Sequence, residues 1–370
     1  IATASADEPN KVLLALRGSG QGLYVGIAED RFIVASEPYG VVEETMRYVR
    51  MDGEALSDAN NPSSRGQVIV LDGDIAGTVD GMSMLAYDGT DLGLNESHVA
   101  IAEVTTRDID RGEHKHFLAK EIGEAPASFR KTLRGKIGER DGNLFASLDT
   151  SVVPQRVIDA LAAGKIARIR VIGQGTAAIA GRSLVQLLRT LVDHRVQVDA
   201  LPATELSGFQ LQLDMSDTLV IAISQSGTTT DTNRTVDLAR SRGASVLAIV
   251  NRRGSELAAK ADGVLYTSDG RDVEMSVAST KAFYSQVSAG ALLACALSSA
   301  LGSGTDAARH QLLTALRTVP DAMNRVLEMR PQIAQAARQF APARRYWTVV
   351  GNGFNAVAAE EVRIKLSELS

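Results

Sequence analysis

Residues 219–230 read Leu219-Val220-Ile221-Ala222-Ile223-Ser224-Gln225-Ser226-Gly227-Thr228-Thr229-Thr230. The unbroken apolar run at 219–223 predicts a strand buried on both faces, and the hydroxyl-rich turn after it opens a helical pattern over 231–241. The same alternation continues outward. Runs rich in β-branched residues at 169–172, 196–198, 246–250 and 264–266 alternate with helical segments at 178–192 and 280–301. Strands joined through helices cross over to pair in parallel, so the chain is expected to be α/β, an open parallel sheet with helices on both faces.

Upstream the pattern differs. Residues 1–110 carry 19 acidic and 7 basic side chains, and the remainder carries 25 and 32, which places a boundary near residue 110. Short β-patterned runs at 22–27, 31–36, 47–51 and 67–71, with Asp52-Gly53 and Asp72-Gly73 turns, predict mostly antiparallel sheet there. Its acids are scattered, as on a solvated face, rather than clustered at ligand spacing. Residues 111–150 read as a polar linker followed by a helix, 151–325 as the α/β unit, and 326–370 as the start of a second such unit. The second unit repeats the first. Val171-Ile172-Gly173-Gln174-Gly175-Thr176 and Val349-Val350-Gly351-Asn352-Gly353-Phe354 lie 178 residues apart, each expected to be a strand, a Gly-x-Gly turn and a helix.

With 370 residues, 45% hydrophobic and 22% charged, the composition excludes a disordered tail, a collagen-like chain and a disulfide miniprotein. The formal net charge of -5 argues against a nucleic-acid partner. The apolar run at 289–297 is far shorter than the roughly 20 residues of a membrane span. One cysteine and no leader-like opening fit a reducing, cytoplasmic compartment. The chain opens on Ile1 and reaches Ser370 inside a predicted helix, so a piece of a longer polypeptide is expected.

Three loops carry candidate chemistry: Gly173-Gln174-Gly175-Thr176, the stretch 224–230, and Ser276-Val277-Ala278-Ser279-Thr280-Lys281. Each places short hydroxyls and free N–H groups at a helix start, where the dipole favours an anion such as a phosphate. Ordinary N-capping explains any one of them. Capping needs one hydroxyl, however, and 224–230 supplies five. A rival for the first loop is a dinucleotide site, since Gly173, Gly175 and Ala178 fit Gly-x-Gly-x-x-Ala, with Asp193 or Asp199 for the ribose. No Gly-x-x-x-x-Gly-Lys-Ser/Thr motif occurs.

Glu361, Lys365 and Glu368 are spaced four and three apart, which puts them on one helical face. That is either an exposed salt-bridging stripe or an acid/base group beside an amine. Cys295 sits in an apolar helix and reads as a packed small hydrophobe. Among the five histidines only His114-x-His116 approaches a ligand spacing, and no metal site is expected.

Ser224-Gln225-Ser226-Gly227 with Thr229, and Val277-Ala278-Ser279-Thr280-Lys281-Ala282-Phe283, resemble the phosphate loop and next signature of the sugar isomerase (SIS) domains of glutamine–fructose-6-phosphate aminotransferase. His116-Phe117-Leu118, Lys120-Glu121-Ile122, Glu124, Pro126 and 132–137 resemble the segment joining that family's glutaminase and isomerase halves. Residues 1–110 resemble, more weakly, the end of the glutaminase domain. The resemblance implies a flavodoxin-like SIS fold preceded by a mostly β remnant of an Ntn-type glutaminase. It also implies phosphate binding by Ser224, Gln225, Ser226, Thr229 and Thr176, and sugar binding by Gly175, Val277 and Ser279. Glu361, Lys365 and Glu368 match the family's acid, lysine and isomerising base, with Glu368 moving a proton between sugar carbons 1 and 2.

The implied reaction makes glucosamine 6-phosphate from fructose 6-phosphate and glutamine, without a cofactor, in a homodimer that shares a histidine between sites. The sequence departs from the family at Gln174 and Ala177, where Cys and Ser are usual, and at Thr228, where Glu is usual. The glutaminase nucleophile and its flanking motifs do not occur in this sequence, and the family's ring-opening histidine and C-terminal lysine match no position in it. Two alternatives stay open: a phosphosugar-sensing SIS module without turnover, and a NAD-dependent oxidoreductase.

Overall fold

The computed structural model describes residues 1–370 apart from 19–21, 103–104, 106–108, 193–194 and 370. The chain divides into two compact units, Ile1–Asp110 and Arg111–Ser370. The first contains β1 (Ala2–Ser5), β2 (Glu8–Leu16), β3 (Leu23–Ile27), β4 (Phe32–Ala35), β5 (Arg47–Met51), β6 (Gln67–Asp72), β7 (Met82–Ala86) and β8 (Val99–Ile101). They pair antiparallel in two four-stranded sheets, ordered β1-β2-β6-β7 and β4-β3-β5-β8. Alternate residues of both, Leu14, Ile69 and Met84 from one and Val25, Val49 and Met51 from the other, form a single core. The expected runs coincide with β3 to β6. The polar first half of β2 and the methionines of β7 carry no β signature, and β8, Val99-Ala100-Ile101, is too short to show alternation, so those strands escape a reading by composition.

The second unit opens with α1 (Phe117–Leu133), then β9 (Ile137–Arg140) and β10 (Asn143–Ala146). This hairpin corrects the expectation of a linker and helix alone over 111–150. Its Asp141-Gly142 turn has positive φ at both residues, 49° and 75°, the conformation that two-residue hairpins demand. The α/β body follows: α2 (Gln155–Ala162), β11 (Arg168–Gly173), α3 (Thr176–Leu191), β12 (Gln197–Pro202), α4 (Ala203–Glu205), β13 (Thr218–Ser224), α5 (Thr230–Ser241), β14 (Ser245–Val250), α6 (Glu256–Lys260), β15 (Gly263–Tyr266) and α7 (Lys281–Ala300). Three helices end the chain: α8 (Asp306–Glu328), α9 (Arg330–Phe340) and α10 (Phe354–Leu369).

All five strands of the body pair in parallel, ordered β12-β11-β13-β14-β15. β13 lies at the centre and every residue of it is buried. Leu219, Ile221 and Ile223 face a layer built by α2, α3, α7 and α8, whereas Val220 and Ala222 face α5 and α6. The period of two inside an unbroken apolar run thus sends side chains to two separate cores. No helix among the described residues is long and apolar enough to cross a membrane.

The sheet order reverses between β11 and β13, where loops after neighbouring strands diverge and leave a crevice. Both Gly-x-Gly turns of the repeat are formed alike. Gly175 and Gly353 have φ of 54° and 55°, and a Cβ on Gly173 or Gly351 would press into the first backbone turn of the following helix. The strand of the second copy is not formed, which corrects that part of the repeat. Residues 346–350 lie outside any sheet, with Val350 83% exposed, because a strand persists only by pairing and no described strand runs beside them. We expect Gly173→Ala to lose about 2 kcal/mol, read from the urea midpoint, since its Cβ would lie 2.9 Å from backbone atoms of Ala177 and Ala178 that cannot swing aside.

Candidate functional site

The crevice is flanked by two of the three hydroxyl-rich loops. Ser224 ends β13 with 3% of its surface exposed, and its hydroxyl takes the N–H of Gly227 (3.0 Å) while meeting the Thr229 hydroxyl at 3.2 Å. Ser226 accepts from the Thr228 N–H and hydroxyl at 3.2 and 2.8 Å. Gly227, at φ 68°, packs so closely that a Cβ would lie 2.2 Å from the Ser255 hydroxyl. The Asn233 amide donates to the carbonyls of Gly227 and Thr229, and the Gln225 carbonyl accepts from the Asn251 N–H, which together lock the loop. Gln174 of the first loop donates to Asp231 at 3.3 Å, tying the two loops together.

Capping predicts that these hydroxyls close the helix ends, and they do not. Thr229 and Thr280 stand at the N-caps of α5 and α7 and neither makes a side-chain cap bond, and the N-cap of α3 is Gly175, which has no side chain to offer. At α7 the carboxylate of Glu274 substitutes, accepting from the N–H groups of Thr280 (2.6 Å) and Ala282 (3.3 Å). The start of α5 keeps N–H groups and dipole available for an anion, whereas at α3 the Ala177 and Ala178 N–H groups already bond the Gln174 and Gly175 carbonyls and the dipole remains. Beside them, the Thr232 hydroxyl oxygen and Asn233 Oδ1 are buried without a hydrogen-bond partner.

Helix α10 packs against α3 and brings the acid-lysine stripe to the first loop. Glu361 accepts from the Thr176 hydroxyl at 3.1 Å, Lys365 donates to the same hydroxyl at 3.0 Å, and Lys365 Nζ lies 3.3 Å from Glu361 and 2.7 Å from Glu368. Thr176, Glu361, Lys365 and Glu368 therefore form one connected cluster, although 185 residues separate Thr176 from Glu361. Glu361 is only 7% exposed, and burial raises its carboxyl pKa above the ordinary glutamate value despite the opposing pull of Lys365 and Thr176. Its second oxygen has no partner. At Glu361 this is not a solvated stripe, since a surface pair leaves neither a carboxylate desolvated nor an oxygen orphaned, whereas Glu368 at the far end of the face is exposed.

Glu361 and Lys365 also line a groove of about 700 Å³ between α1, α7, α8 and α10, together with Ser279, Thr280 and Tyr284. Tyr284 was not among the residues singled out from sequence. Its phenol pKa is raised by burial and by the Glu361 charge. Gly175 supplies the positive-φ turn before Thr176, while Val277 stands 99% exposed at the tip of its loop and lines no part of the groove. For the dinucleotide alternative, Asp193 lies outside the described residues, and the Asp199 carboxylate is engaged by Arg170 and Arg189. Among the described residues no group of three or more His, Cys, Asp or Glu could hold a metal ion.

Residues 164–296 match the family model described as SIS domain. The parallel sheet, its switch-point loops and this match give the matched region the α/β fold of an SIS domain. Along nearly all of its length the chain is similar to part of the isomerizing glutamine–fructose-6-phosphate aminotransferases. It is 31% identical over 368 residues to that of Corynebacterium diphtheriae, covering 99% of this chain and 53% of the relative. It is 29% identical over 370 residues to that of Bacteroides thetaiotaomicron, covering 100% and 55%. The chain thus spans about half the length of the curated relatives it matches. The C-terminal domain of glucosamine-fructose-6-phosphate aminotransferase from Francisella tularensis has a similar structure, with a TM-score of 0.61 and 25% identity over 70% of this chain and 68% of that one.

Two outcomes are expected. Cys295 is fully buried and burial pushes its thiol up to about 11, so iodoacetamide at pH 8 should label it only after denaturation, as mass spectrometry would show. Because the folded pKa of Glu361 is raised, its contribution to stability is present below the unfolded value of 4.5 and is lost as pH rises through the folded value. The thermal midpoint of Glu361→Gln should therefore gain on wild type between pH 4 and pH 7; a constant difference would contradict the burial argument.

Proposed function

We propose that this chain carries the phosphosugar half of an aminotransferase that makes glucosamine 6-phosphate from fructose 6-phosphate, with glutamine as the nitrogen source. The observation that carries the reading is the Thr176 hydroxyl, which bonds Glu361 and Lys365 at the mouth of an uncapped helix. An anion site and an acid/base group are thereby joined through one residue.

In this reading the 6-phosphate sits in the switch-point crevice, held by Ser224, Gln225, Ser226 and Thr229 with the start of α5, and by Thr176 with the start of α3. Gly175, Val277 and Ser279 address the sugar. Once ammonia has condensed at carbon 2 with loss of that carbon's oxygen as water, Glu368, held by Lys365 at 2.7 Å, takes the proton from carbon 1 and returns it to carbon 2 while the carbon-1 hydroxyl proton passes to the nitrogen, which converts the 2-imine to the 2-amino aldose with no further gain or loss of atoms. Lys365 orients Glu368, and Glu361 fixes Lys365. The Ile1–Asp110 unit belongs to the same proposal as the end of a glutaminase domain, as does a homodimer that completes each sugar site.

Ser226→Ala should weaken fructose 6-phosphate binding about tenfold or more, the loss expected for a hydrogen bond to a charged group. Thermal-shift titration measures it. Glu368→Gln in the whole polypeptide should cut aminosugar formation by 10² to 10⁴, the usual worth of a general base, while leaving fructose 6-phosphate affinity within about twofold. A variant that retains turnover would remove the isomerising role from Glu368.

A further inference from the structure

The segment 276–280, which brings Ser279 and Thr280 to the groove beside Glu361 and Lys365, has almost no apolar anchor. Ala278 is buried but Val277 is 99% exposed. What holds it is a set of carboxylates. Glu121, on α1 and 1% exposed, accepts the N–H groups of Met275 (2.5 Å) and Ser276 (3.2 Å) and also the Ser276 hydroxyl. Glu274 takes the N–H and hydroxyl of Thr280 from within the loop. Lys281 closes the far end. It is 4% exposed and ion-paired with Asp272 at 2.8 Å and with Glu124, one turn along α1 from Glu121, at 2.7 Å. Burial alone would lower the Lys281 pKa, and Asp272 with Glu124 hold it above the ordinary lysine value instead.

Residues three apart share a helical face. Glu121 and Glu124 therefore present one side of α1 to this loop, one by collecting its N–H groups and the other through Lys281. We propose that Glu121 is the positioning residue for the sugar-contacting segment 276–280, setting where Ser279 and Thr280 stand in the groove; the assignment rests on the phosphosugar reading above. A buried carboxylate is retained only where its donors compensate its desolvation, and here every donor it receives comes from that segment and the residue before it. The phosphate loop is held independently, by Asn233, Asn251 and the Leu257 N–H to the Gly227 carbonyl. Displacing 276–280 thus changes sugar contacts and leaves phosphate contacts in place.

The test compares affinities for fructose 6-phosphate and inorganic phosphate by thermal-shift titration of the whole polypeptide. Glu121→Gln keeps the shape and one acceptor oxygen. It should weaken fructose 6-phosphate binding about tenfold and inorganic phosphate binding less than twofold, whereas Ser226→Ala weakens both. Ser276→Ala, a loop change that spares the fold, should show the same one-sided loss at about threefold and decides the matter if Glu121→Gln does not fold. Equal losses for both ligands, or none, would overturn the positioning role while the phosphosugar reading stands. Wild-type protein that binds neither ligand would sink that reading, and this inference with it.

Discussion

The ladder between β11 and β13 is the constraint on which the rest of the second unit depends. Because these two strands pair directly although α3, β12 and α4 intervene in sequence, the sheet order reverses between them. The loops after their carboxyl ends then lean apart over opposite faces and leave a crevice bounded by two helix starts. The same pairing buries Ile169, Val171, Leu219 and Ile221 in the larger core, so the crevice rests on the most thoroughly buried part of the molecule. A rigid floor under a hydroxyl-rich rim is what a site needs in order to hold an anion by N–H groups that are already oriented before it arrives.

Charge in this unit is buried where it orients something. Glu361 is desolvated yet held by Thr176 and Lys365, and Lys281 is desolvated yet held by Asp272 and Glu124. A buried pair is weak evidence for stability, because desolvation offsets most of the attraction. Each cluster does, however, have one favourable geometry, and each joins elements far apart in the chain: the Thr176 hydroxyl ties α3 to the Glu361–Lys365 pair of α10, and the Lys281–Glu124 pair ties α7 to α1. The α/β core supplies stability by apolar burial, while these ion pairs decide where the loops and the last helix stand around the crevice.

Much of this was legible in the residues. The strands β11, β13, β14 and β15 coincide closely with their β-branched runs, and α3, α5 and α7 with their helical patterns, because apolar periodicity is a direct record of burial. The hairpin β9–β10 was not read, although Asp141-Gly142 is a strong turn signal; its strands Ile137–Arg140 and Asn143–Ala146 are half polar and gave no alternation to notice. The strand expected at Val349-Val350 failed for the opposite reason. Its residues have the right pattern, but pattern records what a strand prefers and not whether a neighbour is there to pair with it.

What the amino-acid sequence determined by itself was local and periodic: the α/β class, the boundary near residue 110, the three hydroxyl-rich loops, and the acid-lysine face of the last helix. These depend on neighbours within a few positions, where backbone sterics and side-chain spacing suffice. Only the tertiary structure decided that Glu361 and Lys365 of α10 meet Thr176 rather than solvent, and that Glu121 and Glu124 reach the loop before α7 and its first residue. Each of these depends on desolvation and on partners more than 150 residues away, neither of which has any counterpart in the local order of the chain.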